Sequence, residues 1–400
     1  MAKPTLALIP AAQGSKFYSV LPSSGVGDFS FTRSGSATRI NAQGLIETVA
    51  SGVSRLNYPM IDGVVKGCPH HILEPQRTQK FQYSEDFSQS FWNKASSSVT
   101  LTSKIAPNGT SNSVYNLVGT SANLYASGVV GVEHTISFYI KSNGQGKDKF
   151  KLRLGNNTSI EYTATNEWVR YEYTETPTTG VFGITTTSAP HNEFDLLVWG
   201  AQSEQGSFAT SYIPNYGTSG GVTRSAETAT GSGDASTFND SEGVLMVEIA
   251  YLKDRGTSSP FKVERISISN ATDTNRLFIS NTAIANQIQV FVRNSTGISF
   301  NKTVTISDNT LYNKIVLKYK ANDFSLWING FELELDNTYS YLPSGLNVLK
   351  FEGASGSYDF YGNTKQLQYF DSALTDSELE TLTSWTSFTD LANGQLYSIK

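Results

Sequence analysis

The feature that most constrains this sequence is a pair of alternating apolar and polar runs, FSLWI and FELEL, separated only by Asn329-Gly330. Two residues leave no room for a helix, and Asn-Gly readily takes the left-handed backbone that a type I′ turn demands, so the segment reads as a β-hairpin. The same alternation recurs along the chain. Residues 134–141 place Ile136, Phe138 and Ile140 on one side of a strand, and residues 149–154 do the same with Phe150, Leu152 and Leu154. Further strands are expected at 44–49, 167–173 and 194–198, then at 243–251, 261–269, 276–280, 287–292, 314–319, 324–328 and 331–335. Pro107-Asn108-Gly109, Ser142-Asn143-Gly144 and Gly155-Asn156-Asn157 supply turns between them. The expected fold class is all-β.

Composition bounds the alternatives. At 400 residues the chain exceeds one ordinary sandwich, and about 100 to 200 residues per domain gives two or three. Hydrophobic residues make up 38% and charged residues 16%, so Ser, Thr, Asn and Gly carry much of the polarity, as suits short strands joined by many turns. A formal net charge of −5 lacks the basic footprint of a nucleic-acid partner. No run approaches the ~18 apolar residues that would span a bilayer, so membrane insertion is not expected. The start, MAKPTLALIPAAQGS, has the outline of a secretory leader, but Pro4 and Pro10 bracket too few apolar residues for one. Cys68 is the sole cysteine, so it forms no intramolecular disulfide, and no Cys/His grouping has zinc-site spacing.

Three phrases punctuate the first 230 residues: DFSFTRSGSATRINAQGLIE at 28–47, ILEPQRTQKFQYSEDFSQSFW at 72–92, and WGAQSEQGSFATSYIPN at 199–215, closed by VTRSAE at 222–227. Their order and spacing resemble a recurrent tailed-bacteriophage virion protein, in which a small N-terminal β segment leads through an EPQRTN-type joint into a sandwich ending in GAQxExGxFxTSYIP. Gln79 stands where that pattern usually has Asn. The resemblance implies a fibre, spike or decorating protein exposed on the virion surface. Its implied partners are host cell-surface polysaccharide and other virion proteins, and its implied assembly is a homo-oligomer, a trimer. Farther on, KYKANDFSLWINGFELE and YFDSALTDSELETL resemble a concanavalin A-like or laminin-G-like jelly roll.

Residues 1–72 are then expected as an N-terminal anchor segment with short β elements, thin in core-forming residues and packed on neighbouring chains or on the next domain. Cys68-Pro69 and Glu74-Pro75 read as extended joints. Residues 73–216 form a jelly roll whose length and aromatic content resemble a carbohydrate-binding module. Residues 217–240, rich in Gly, Ser and Thr, read as a linker or a solvated arm. Residues 241–400 form the second jelly roll, so the architecture is two antiparallel sandwiches in tandem. Thr375 and Glu378 have capping-box spacing, and Leu379, Leu382 and Trp385 recur so as to dock a short helix on that sandwich.

Catalytic chemistry is mostly missing. A glycosidase needs two carboxylates facing across a cleft, about 5 to 9.5 Å apart. Glu332, Glu334 and Asp336 share one face of their strand by alternation, opposite Leu333 and Leu335, and read as a solvent face. Adjacent strand residues point apart, so His70 and His71 make a poor metal pair and read as surface or interface residues. No catalytic residue, metal ligand or cofactor is assigned. The acidic loops 239–242 and 371–376 are where calcium would find hard oxygen ligands, although neither is an EF-hand and helix capping accounts for the second. Aromatic platforms remain, because sugars stack flat C–H faces on Trp and Tyr. Trp327, on the side of its strand opposite Phe324, Leu326 and Ile328, is the first candidate for a glycan-binding or interface residue. Tyr125 and Tyr162 follow it, while Trp92, Trp168 and Trp199 are assigned to sandwich cores. The functional expectation is a non-enzymatic virion protein that attaches to host glycans. A purely structural decoration protein, and less so a capsule depolymerase, are the alternatives.

Overall fold

A computed structural model describes residues 2–10, 19–253, 263–353 and 357–384. It is all-β apart from the helix Asp376–Ser384, and its strands form two antiparallel sandwiches.

In the first sandwich the alternating runs pair as their periodicity requires. Strand His134–Ser142 lies between Val169–Glu175 and Glu193–Gln205, and Lys149–Leu154 lies beside Val181–Thr185. One long strand, Val114–Ser127, pairs with Glu193–Gln205 through residues 115–120 and with Val181–Thr185 through residues 123–127. It thereby carries the hydrogen-bonded ladder from one layer to the other. The expected inward residues Ile136, Phe138, Ile140, Phe150, Leu152 and Leu154 are all fully buried in one cluster. At about 1.5 to 3 kcal/mol for each buried large side chain, this shared face fixes the register.

The second sandwich follows the first along the chain, but it draws strands from the N-terminal segment. Its five-stranded layer, Ile298–Thr305, Gln287–Arg293, Arg276–Asn281, Arg265–Ser269 and Val348–Lys350, faces a layer built on Gly362–Phe370, Glu242–Tyr251, Asn313–Lys320, Phe324–Ile328 and Phe331–Asp336. Along the free side of Gly362–Phe370 run Leu6–Leu8 and then His70–Leu73, with Leu6 opposite Tyr369 and Leu73 opposite Gly362. Leu6, Leu8 and Leu73 belong to the main core of this sandwich. The described part of residues 1–72 therefore contributes strands to the second sandwich, where it was expected as an anchor segment thin in core-forming residues. The Asn329-Gly330 turn forms as expected, both residues having positive φ, 50° and 90°.

Residues 217–240 are likewise not a linker. Val222–Arg224 pairs with Arg77–Gln79, Thr228–Thr230 pairs with Ser30–Thr32, and Ser232 bridges to Leu349. The reason is a buried polar hub that needs side chains from this stretch. Arg55 donates to both Glu74 (2.7 Å) and Glu227, Arg33 donates to Glu227 (2.7 Å), and Arg224 donates to Glu74 (2.5 Å). Ser211 completes the site, its backbone N–H donating to Glu74 at 2.7 Å and its hydroxyl at 2.6 Å. The side chains of Arg33, Arg55, Glu74, Arg224 and Glu227 are at most 2% exposed. Burial alone would raise Glu74, but Arg224 and Arg55 outweigh it and hold the carboxyl at about 2. The three phrases that punctuate the sequence thus meet at one charged joint. Gln79 ties the second phrase to the third separately, donating to the Ala201 carbonyl (2.6 Å) while accepting from the backbone N–H groups of Ser203 and Phe81.

Candidate binding groove

Between the N-terminal hairpins and the first sandwich lies a groove of about 750 Å³. Its sandwich side is built from Tyr139 and Lys141 on His134–Ser142, and from Trp168, Val169 and Arg170 at the start of Val169–Glu175. The opposite walls are the turn 42–45 and the hairpin of Met60–Ile61 with Val64–Val65. These walls are held in place by specific packing. Ile46 is buried with Ala106, Leu197, Trp199 and Tyr212, and its N–H donates to the Pro107 carbonyl at 3.0 Å. At the tip of the second hairpin Gly63 has φ +78°, and a Cβ there would lie 2.6 Å from Glu167 Cβ and 3.0 Å from the Trp168 carbonyl oxygen. Only glycine fits that approach.

The lining suits a polyhydroxylated ligand. Trp168 is half-buried, its orientation fixed by donation from Nε1 to the Ile105 carbonyl at 2.9 Å. Tyr139 packs edge-on against Trp199, and the Arg170 guanidinium sits 5.6 Å from its ring centroid. Burial raises the Tyr139 hydroxyl above its ordinary value, against the opposing charge of Arg170, so it stays a neutral donor. Arg170 is committed to Ser137 and to the Thr210 carbonyl (2.6 Å). Among the described residues the side chains of Lys141, Asp62 and Glu167 have no ion pair, which leaves a cation and two carboxylates around one aromatic surface. Such a surface can stack and orient a sugar ring.

The residues singled out from the sequence fall elsewhere. Trp327 is only 7% exposed, packed with Leu374, Leu379 and Leu382. Its strand phase did put it on the side away from the main core, but helix Asp376–Ser384 covers that side. The helix starts with the expected capping box, Thr375 and Glu378 exchanging backbone donors; Trp385 lies outside the described residues. Tyr125 is half-buried on the outer side of Val114–Ser127. Tyr162 donates to the Glu172 carbonyl (2.9 Å) and packs 5.1 Å from Tyr171, whose own hydroxyl donates to the Thr163 carbonyl. That pair ties Tyr162–Thr163 to Val169–Glu175 across the sandwich edge. None of the three lines the groove. Trp92 and Trp199 are core as expected, at 2% and 0% exposure, whereas Trp168 is not.

The carboxylates also sort differently. A register shift between Leu326 and Trp327 places Glu332 opposite Trp327, but Glu334 opposite Leu326 and Asp336 opposite Phe324. The three therefore do not share a face, and Glu334 and Asp336 turn inward toward Lys302 (3.7 and 3.9 Å). His70 and His71 are buried, where His70–Leu73 lies between Arg55–Asn57 and Gly362–Phe370. Among the described residues no cluster of three His, Cys, Asp or Glu side chains could hold a metal. Asp240 accepts from the backbone N–H groups of Gly345 and Leu346, which commits the first acidic loop to a loop contact. Among the described residues no helix is long and apolar enough to cross a membrane.

No family model and no curated protein matches this chain. Among solved structures, the carbohydrate-binding module of the Ruminococcus gnavus IT-sialidase, bound to α2,3-sialyllactose, is similar over 38% of this chain and 92% of its own, at 17% identity and TM-score 0.31. The leech intramolecular trans-sialidase is similar over 38% of this chain and 24% of its own, at 20% identity and TM-score 0.30. A Bacillus licheniformis β-glucanase is similar over 58% of this chain and 97% of its own, at 13% identity and TM-score 0.28. At these identities and scores the likeness reaches neither a ligand nor a site.

Proposed function

We propose that the protein is a non-enzymatic glycan-binding protein exposed on a phage particle, and that it attaches to host surface polysaccharide through the groove beside Trp168. The observation that carries this reading is the groove itself: a half-buried tryptophan, fixed by its own hydrogen bond, next to Tyr139, Tyr58 and unpaired charged groups. A pyranose stacks on such a ring while its hydroxyls find donors and acceptors at the rim. The virion setting rests on the resemblance of the three phrases. Trimeric assembly, implied by the same resemblance, would let weak single sites act together through raised effective concentration. Trp168→Ala is expected to weaken glycan binding by about 2 kcal/mol, roughly 30-fold, in calorimetric titration of the full chain, with little change in melting temperature. Unchanged binding by a folded Trp168→Ala protein would remove the groove from the function.

A second reading, a structural decoration protein, is favoured by one observation. The edge strand Phe331–Asp336 exposes Phe331 (69%), Leu333 (41%) and Leu335 (51%) beside a backbone edge unpaired among the described residues, the kind of edge that pairs with another chain.

A further inference from the structure

We propose that the groove selects an acidic saccharide and seats its anionic substituent in a two-lysine pocket beside Trp168; this rests on the groove being a glycan site. A second, smaller cavity of about 230 Å³ adjoins the groove, sharing Ile105, Lys141 and Trp168 with it and adding Lys104, Ser142 and Asn143. No carboxylate lines this cavity. Asp148 and Asp195 stand behind its wall, accepting from the lining residues Ser142 (2.6 Å) and Asn143 (2.8 Å), and do not line the cavity themselves. Neighbouring lysines outside the cavity are paired, Lys147 with Glu193 (3.0 Å) and Lys149 with Glu161 (2.7 Å). Lys104 and Lys141 have no ion pair among the described residues. In a chain of net charge −5, two lysines without an ion pair lining a cavity that no carboxylate lines form a local exception to the overall field, and they suit a carboxylate, sulfate or phosphate.

The polarity of the whole groove sets the ligand's orientation. Asp62 is on the hairpin and Glu167 lies against its tip, its Cβ 2.6 Å from where a Gly63 Cβ would stand; there they repel an anion and accept from hydroxyls. Lys104 and Lys141 line the smaller cavity together with Trp168. A sugar ring stacked on Trp168 therefore points its charged substituent toward Lys104 and Lys141 and its neutral edge toward Asp62 and Glu167.

The test is an array of carboxylated, sulfated and neutral oligosaccharides probed with the full-length protein, its Lys104→Gln/Lys141→Gln double variant and its Trp168→Ala variant. The expected result is retention of anionic glycans, with binding that falls as sodium chloride is raised, and a loss of about tenfold per lysine in the double variant. Trp168→Ala should lose the same glycans. Comparison of the carboxylated and sulfated arms identifies which anion is recognised. Preference for neutral glycans, or a double variant that binds anionic ones as tightly as the parent, overturns the acidic assignment; if Trp168→Ala still loses binding, the groove survives that failure. Retention of no glycan, or a silent Trp168→Ala variant, overturns the groove and the acidic assignment together.

Discussion

Glu227 accepts from both Arg33 and Arg55 where water does not reach, so removing it leaves the Arg33 guanidinium buried without its counter-charge and leaves Arg55 only Glu74, which it shares with Arg224. Breaking such a pair from one side costs about 3 to 5 kcal/mol. Glu227→Ala should therefore lower the urea midpoint of unfolding by a corresponding amount, while a surface change such as Glu161→Gln leaves it nearly unmoved. Acid acts on the same region by another route. Burial lowers His70 and His71 to about 3, helped by Lys365 and Arg55 at His70 and by His70 at His71. Their ordinary value is near 6.5, so between those limits the unfolded chain binds more protons and stability falls as pH falls, by up to about 1.4 kcal/mol per pH unit for each histidine. Glu74, held at about 2, adds loss of stability below its ordinary range. Urea midpoints taken from neutral pH to pH 4 should decline, and His71→Gln should flatten that slope; a flat profile in the parent would contradict the burial of both rings. Single residues were unevenly legible in the sequence. Strand phase correctly put Trp327 on the side away from Leu326, but phase says nothing about what covers that side. Trp168 was assigned to a sandwich core together with Trp92 and Trp199, and only the distant hairpins that wall the groove make it a lining residue.

Elements with long alternation were legible, and short ones were not. Ile136, Phe138 and Ile140 repeat often enough to declare a buried face, and the Asn329-Gly330 turn declares its own geometry. Leu6–Leu8, Arg55–Asn57 and Thr228–Thr230 have three residues each, too few for a period to show. Leu6–Leu8 pairs with Gly362–Phe370 and Thr228–Thr230 with Ser30–Thr32, far off in sequence, so nothing local announces them. The Gly/Ser/Thr composition of 217–240 suggested a linker, although Arg224, Glu227 and Ala229 within it are all buried. Helix Asp376–Ser384 was legible through its cap and its apolar spacing, but its docking site was not. That docking yields a prediction: Trp327→Ala should cost about 3 to 5 kcal/mol of stability, as for a buried aromatic, and leave glycan binding by the surviving folded protein unchanged. A selective binding defect with an unchanged melting temperature would contradict its burial beneath the helix.

Across the whole molecule, the first sandwich is enclosed between segments that build the second. Its ends come together, Ser84 donating to the Asn215 carbonyl at 2.9 Å and Tyr83 bridging Tyr216. A fragment spanning 80–217 should therefore melt cooperatively on its own. A fragment spanning 241–400 should not, because it lacks Leu6, Leu8, Phe29, Leu73 and Ala229 from its core; a cooperative melt there would show that the N-terminal strands are dispensable. Joining the halves in this way also places the N-terminal hairpins against the first sandwich, and the groove exists only because of that contact. The most direct measurement uses the five tryptophans of the chain. With fluorotryptophan incorporated and the Trp168 resonance assigned through Trp168→Phe, fluorine NMR of the full-length protein is recorded during titration with a glycan it binds. The account predicts that the Trp168 resonance moves with ligand while those of Trp92, Trp199 and Trp327 stay in place. A titration in which Trp168 stays fixed and another tryptophan moves would contradict it.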